Sequence, residues 1–98
     1  MKEEITSLCS PRSGNPVPNQ IIIRKGVDEY FKSYSTIVAK RDLVTFEIIL
    51  DSNPNDYTPT TMRYLNVFLG YDLKKSDVMN ILNGKKPKYP EIKTANLN

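Results

Sequence analysis

Two acids are the side chains whose types and spacing come nearest to bond-making chemistry. Asp51 and Asp56 flank the segment DSNPNDYTP. A carboxylate pair can hold Ca²⁺ or Mg²⁺, or divide acid and base work between its members. The competing reading is two loop acids that close side-chain turns on nearby backbone N–H groups, and the Asn/Asp/Pro composition favours it. The other parts of catalytic sites are scarce. The chain has no histidine and one cysteine, Cys9. Zinc sites and Ser-His or Cys-His nucleophiles therefore lack their components. Four glycines, far apart, make no phosphate loop. The expectation is a non-enzyme with no catalytic residue, no cofactor and no metal.

Binding residues are more plentiful. Basic side chains gather at Lys40-Arg41, at Lys74-Lys75, and at Lys85-Lys86 with Lys88, and Tyr71 and Tyr89 stand near the last two groups. Lys74, Lys75, Lys85, Lys86 and Lys88 could neutralise phosphates while the tyrosines stack on bases, the signature of sequence-nonspecific nucleic-acid binding. A solvated charged face explains the same residues and is preferred. The EYFKSY segment suggests a stacking platform, but an RNA-binding βαββαβ sheet needs a helix between its strands and the sequence offers none there. A helix-turn-helix is disfavoured too, because Asp77, Met79, Asn80 and Asn83 include no arginine to read a guanine. The leading candidate is a protein-binding patch of Tyr30, Tyr34 and Tyr71.

The elements that would position these residues follow from periodicity. A length of 98 residues argues for one domain, with 39% hydrophobic and 26% charged residues and a net charge of +3. Residues 1–14 show no clear period and are expected to be a flexible head, leaving 15–98 as the domain. Pro16 and Pro18 hold an extended lead-in to the β-branched run Ile21-Ile22-Ile23, a strand. EYFKSYSTIVAK reads as a second strand. LVTFEIILD reads as a third, with Val44, Phe46, Ile48 and Leu50 on one face. Thr58-Pro59 is a helix start and Gly70 its stop. A second helix fits KKSDVMNILNG, with Ser76 as its cap and Gly84 as its end. The tail KKPKYPEIKTANLN has no period. The predicted fold is α+β: a three-stranded antiparallel meander with two C-terminal helices packed on one face. Its core would hold Ile21, Ile23, Phe31, Ile37, Val44, Phe46, Ile48, Met62, Leu65, Leu69, Val78 and Ile81.

The order and spacing of NPVPNQ, YFKSYSTIVA, YTPTTMRYLNVFLG and a closing NLN resemble a group of small proteins encoded by bacteriophages and related mobile elements. That group carries an Asn-Pro-Val-x-Asn-Gln lead-in, a Phe-x-Ser-Tyr strand, a Tyr-Ser-x-Thr-Thr helix start and a final Leu-Asn. Here the matching residues are Asn15 to Gln20, then Phe31, Ser33 and Tyr34, then Tyr57, Thr58, Thr60 and Thr61, then Leu97-Asn98. The resemblance covers residues 13–98 and departs at Thr58-Pro59, where serine and a non-proline are expected. It brings no catalytic residue. It implies a phage-encoded protein made inside a bacterium. For Asn15, Asn19, Gln20, Thr58, Thr60 and Thr61 the expected role is structural, because buried backbone groups beside prolines need partners.

No stretch approaches the ~20 apolar residues of a membrane span, and the first residues lack the apolar core of a secretory signal. The sequence therefore points to a cytoplasmic accessory protein that binds a host or phage protein, as an inhibitor of a host factor for example. Nucleic-acid binding is the alternative. Homodimerisation through an exposed sheet edge is left open.

Overall fold

The computed structural model describes residues 3–85 and 88–98. In chain order they form β1 (Glu3–Cys9), β2 (Pro16–Lys25), β3 (Asp28–Ser33), β4 (Thr36–Asp42), β5 (Ile48–Asp51), α1 (Pro59–Leu69), α2 (Lys75–Leu82) and β6 (Ile92–Ala95). A one-turn 3₁₀ helix, Pro54–Asp56, precedes α1. The fold is α+β, and its single sheet has six strands in the order β1-β2-β3-β4-β5-β6. Neighbours are antiparallel from β1 through β5, and β6 lies parallel to β5. A parallel pair needs a long crossover, and the two helices supply it.

The three-stranded meander is thus an undercount, and each missed strand has a physical reason. Glu3–Cys9, which shows no clear period, forms an edge strand: an irregularity between Ser7 and Cys9 breaks the alternation and leaves Leu8 buried. The run EYFKSYSTIVAK is two strands. Ser33 faces Thr36 across a turn at Tyr34-Ser35, and Tyr34 takes φ 57° without any glycine to announce it. LVTFEIILD is only half strand. Asp42 Oδ1 accepts the N–H groups of Val44 (2.8 Å) and Thr45 (2.9 Å), which bends the chain before β5 begins. Val44 and Phe46, expected in the core, are exposed. The tail supplies β6. Lys86, one of the candidate nucleic-acid lysines, lies outside the described residues.

The helices begin and end for local reasons. Thr58 Oγ1 accepts the Thr61 N–H, Pro59 stands at the first helical position, and Gly70 ends α1 at φ 73°. Helix α2 starts two residues earlier than Ser76 would set. Its cap is Lys74, whose N–H donates to Asp77 Oδ2 at 2.9 Å, and Ser76 makes no cap. Gly84 ends it as expected, with Gly84 N–H to Ile81 O and Lys85 N–H to Asn80 O. Between the helices, the Asn66 side chain holds both the N–H and the C=O of Leu73, at 2.8 and 2.9 Å.

Both helices lie on one sheet face. There Phe31 stacks with Phe68 at 5.8 Å, and Ala39, Ile48, Leu50 and Ile92 meet Leu65, Leu69, Val78 and Ile81. One row on this face is Glu4–Arg24–Glu29–Arg41–Ile48–Ile92 across successive strands. Glu29 is 4% exposed and is held by Arg24 Nη2 (2.8 Å) and Arg41 Nη2 (2.6 Å), one on each oxygen. Arg41 in turn lies over the Phe68 ring at 4.7 Å. Burial opposes ionisation of Glu29, but the two guanidinium groups outweigh it and hold the carboxyl below its usual range. The opposite face carries the row Ile5–Ile23–Tyr30–Lys40–Ile49–Lys93, and no helix among the described residues covers it. Ile21, Ile23 and Ile37 belong to this side and are half-buried rather than core.

Candidate functional site

The tyrosines of the expected patch lie in three places. Tyr30 is on the open sheet face, with Lys40 Nζ 5.9 Å from its ring centre. Tyr34 is at the β3–β4 turn, exposed. Tyr71 follows α1, stacks on Tyr89 at 5.8 Å and donates to Glu91 Oε1. Burial, then the Glu91 charge, raises the Tyr71 phenol above its ordinary pKa. The lysines divide as well. Lys74 and Lys75 stand at the start of α2, whereas Lys85 and Lys88 join Tyr89 around a concavity of about 230 Å³ that runs along α2 past Ser76, Asp77, Asn80 and Ile81.

The residues of the resemblance tie the sheet to α1. Asn15 closes the β1–β2 loop through its backbone, accepting the Ser10 N–H at 2.9 Å. Asn19 takes φ 68° and its carbonyl accepts the Tyr34 N–H at 2.7 Å. Gln20 is 1% exposed and faces Ser33. Ser33 Oγ meets Thr61 Oγ1 at 3.0 Å, and Thr58 Oγ1 donates to the same Thr61 oxygen at 3.1 Å. Thr60 is exposed on the first turn. Asn98 clamps β4: its Oδ1 accepts the Ile37 N–H (2.8 Å) and its Nδ2 donates to the Ile37 carbonyl (2.9 Å).

Asp51 and Asp56 come together at the end of β5, close enough for each to shift the other's pKa. Asp51 is 3% exposed, and Leu97 N–H donates to its Oδ1 at 2.7 Å. Burial opposes its charge, but Asp56 and the N–H groups of Leu97 and Asn53 outweigh it and keep its pKa low. Asp56 goes the other way. Burial first, then the hydrogen bond and charge of Asp51, push it up to about 7. Asp56 Oδ2 is buried without a hydrogen-bond partner. The two carboxyl groups therefore keep one proton between them up to about pH 7. Beneath it, Tyr57 donates to the Asp51 backbone carbonyl at 2.6 Å, and burial raises its phenol strongly. Among the described residues no third acid, cysteine or histidine joins them as a cation ligand set.

The two most exposed large apolar side chains among the described residues, Phe46 and Val44, lie at the other end of the sheet. The β2–β3 and β4–β5 turns stand side by side, joined by Leu43 N–H to Val27 O at 2.8 Å. They display Val27, Val44 and Phe46, which are 49%, 68% and 71% exposed. The second turn is firmly built. Besides its two side-chain bonds, Asp42 accepts the Phe46 N–H through its carbonyl and donates its N–H to Glu47 O. The Thr45 and Val44 N–H groups hold the Asp42 carboxyl below its usual range. Phe46 takes φ 62°, a left-handed backbone that costs a bulky residue about 1–2 kcal/mol. Sequence reasoning missed this surface because alternation placed Val44 and Phe46 inside; the signal available was Asp42 ahead of Thr45, a side-chain turn former.

A family model matches residues 4–84, described as a family of unknown function (DUF8033). The chain belongs to the DUF8033 family. No curated protein and no solved structure matches it. The DUF8033 span includes the apolar turns, the Glu29 clamp and the Asp51–Asp56 pair, while β6 and Asn98 follow it. No helix among the described residues is long and apolar enough to cross a membrane.

Proposed function

We propose that the chain is a small accessory protein, encoded by a bacteriophage or mobile element, that acts in the bacterial cytoplasm by binding a host or phage protein rather than by catalysis. The observation that carries binding is the apolar tip of Val27, Val44 and Phe46. Turns are normally filled by Gly, Asn, Asp and Ser. Here two adjacent turns present valine and phenylalanine to solvent on a hydrogen-bonded frame. A pre-ordered apolar knob gives up little entropy on docking, and buried aromatic anchors dominate interface energies. The phage setting rests on the resemblance of the NPVPNQ, Phe31-Ser33-Tyr34 and Tyr57-Thr61 segments.

Placing a photo-crosslinking amino acid at position 46, at 44 and, as a control, at 75 in bacterial cells tests this reading. The same discrete adduct from 44 and 46, but not from 75, supports it. Adducts equal at all three positions, or absent from all, refute it. A second reading has one observation in its favour: Lys85, Lys88 and Tyr89 line a common concavity. It predicts binding to labelled DNA or RNA that weakens steeply with salt and fails in a Lys85→Glu/Lys88→Glu variant.

A further inference from the structure

We propose that Arg12 and Arg63 form a binding site for a phosphoryl group, free or carried on a mononucleotide. The chain has four arginines. Arg24 and Arg41 share the Glu29 carboxylate. The other two line one open cleft of about 440 Å³ together with Ser10 and Pro11, and no carboxylate takes part in it. Among the described residues neither Arg12 nor Arg63 has an ion pair. Two arginines lining one cleft without an acid leave it positively charged, and an anion entering it meets no competing carboxylate. Arginine suits phosphate oxygens because its planar fork donates two parallel hydrogen bonds.

Both arginines are set on ordered backbone. Ser10 Oγ accepts the N–H groups of Arg12 (3.2 Å) and Ser13 (3.4 Å), and the Ser10 carbonyl accepts the Gly14 N–H at 2.8 Å. Gly14 takes φ 74°, which turns the chain back into β2. Arg63 is on the exposed side of α1, next to buried Met62. It lies one turn from the positive end of that helix, whose dipole adds to the attraction. The cleft falls in the size range of small-molecule sites. It is separate from the apolar tip and does not depend on it.

The test is an NMR titration of the intact chain with sodium phosphate, against sodium chloride at matched ionic strength. The expected result is a saturable shift of the Arg12 and Arg63 Nε–H signals and of the Ser10–Gly14 amides, with phosphate only. Arg12→Gln and Arg63→Gln should each weaken binding about tenfold while leaving the remaining spectrum in place. Arg12→Lys, which keeps charge but loses the fork, should fall between. A nucleoside 5′-monophosphate run in parallel identifies the source: tighter binding than phosphate assigns a nucleotide, and equal binding assigns the free anion. No saturable shift at about 20 mM phosphate, or equal shifts with chloride, overturns the proposal.

Discussion

Replacing Asp56 with asparagine should remove a pH dependence that the fold carries at neutral pH. In the folded chain Asp56 holds its proton up to about pH 7, against an ordinary value of 3.8. Between those values the folded state binds a proton that the unfolded state has released. Stability must therefore fall as pH rises through that window. At about 1.4 kcal/mol per pH unit the ceiling is about 4 kcal/mol, and solvent reaching the partly exposed Asp56 lowers the expected loss to about 2 kcal/mol. Asp51 contributes with the opposite sign: its lowered pKa adds stability above 3.8 that is lost below it. The pair's contribution to stability should thus peak near pH 4 and decline until about pH 7. Asparagine has nearly the same shape, and its amide can donate to the Asp51 carboxylate without a proton to lose. The assay is urea unfolding by circular dichroism at pH 5, 6, 7 and 8. Asp56→Asn should be about 2 kcal/mol more stable than the parent at pH 8, and within about 1 kcal/mol at pH 5. A parent whose stability is flat from pH 5 to 8, or an asparagine variant that is less stable at every pH, would refute the shared-proton reasoning.

Glu29→Gln leaves two guanidinium groups facing a neutral amide and should cost about 3 kcal/mol at pH 7 in urea unfolding. Because the Glu29 pKa is lowered, that difference should shrink as pH falls through 4.5 and below. Phe46→Gly relieves the left-handed backbone and should raise stability by about 1 kcal/mol while abolishing the position-specific binding assigned to the tip. Asn98→Ala removes two hydrogen bonds to Ile37 and should cost about 1–2 kcal/mol, read as faster exchange of the Ile37 amide.

The parts of the fold legible in the sequence are those set by local chemistry. Thr58-Pro59, Gly70 and Gly84 mark helix boundaries whose hydrogen bonds lie within a few residues, and the apolar stripe Met62, Leu65 and Leu69 needs no distant partner to be read. The parts that escaped depend on pairing. In EEITSLC the register shift after Ser7 hides the strand, and β6 is four residues long and pairs with a strand more than forty positions away. Period-two alternation through Val44 and Phe46 was real, but the Asp42 side chain overrode it by capturing two N–H groups. The Asp51–Asp56 pair was legible only as two loop acids, because their contact depends on the 3₁₀ turn between them. Arg12 and Arg63 come to line one cleft only once the β1–β2 loop lies beside α1.

The central claim is that the tip of Val27, Val44 and Phe46 docks onto a protein. The most direct measurement is calorimetric: the affinity of the crosslinked partner, purified, for the parent chain and for a Val44→Ser/Phe46→Ser variant. The account predicts a loss of about a hundredfold or more, with an unchanged circular dichroism spectrum. Equal affinity for the two chains would contradict it.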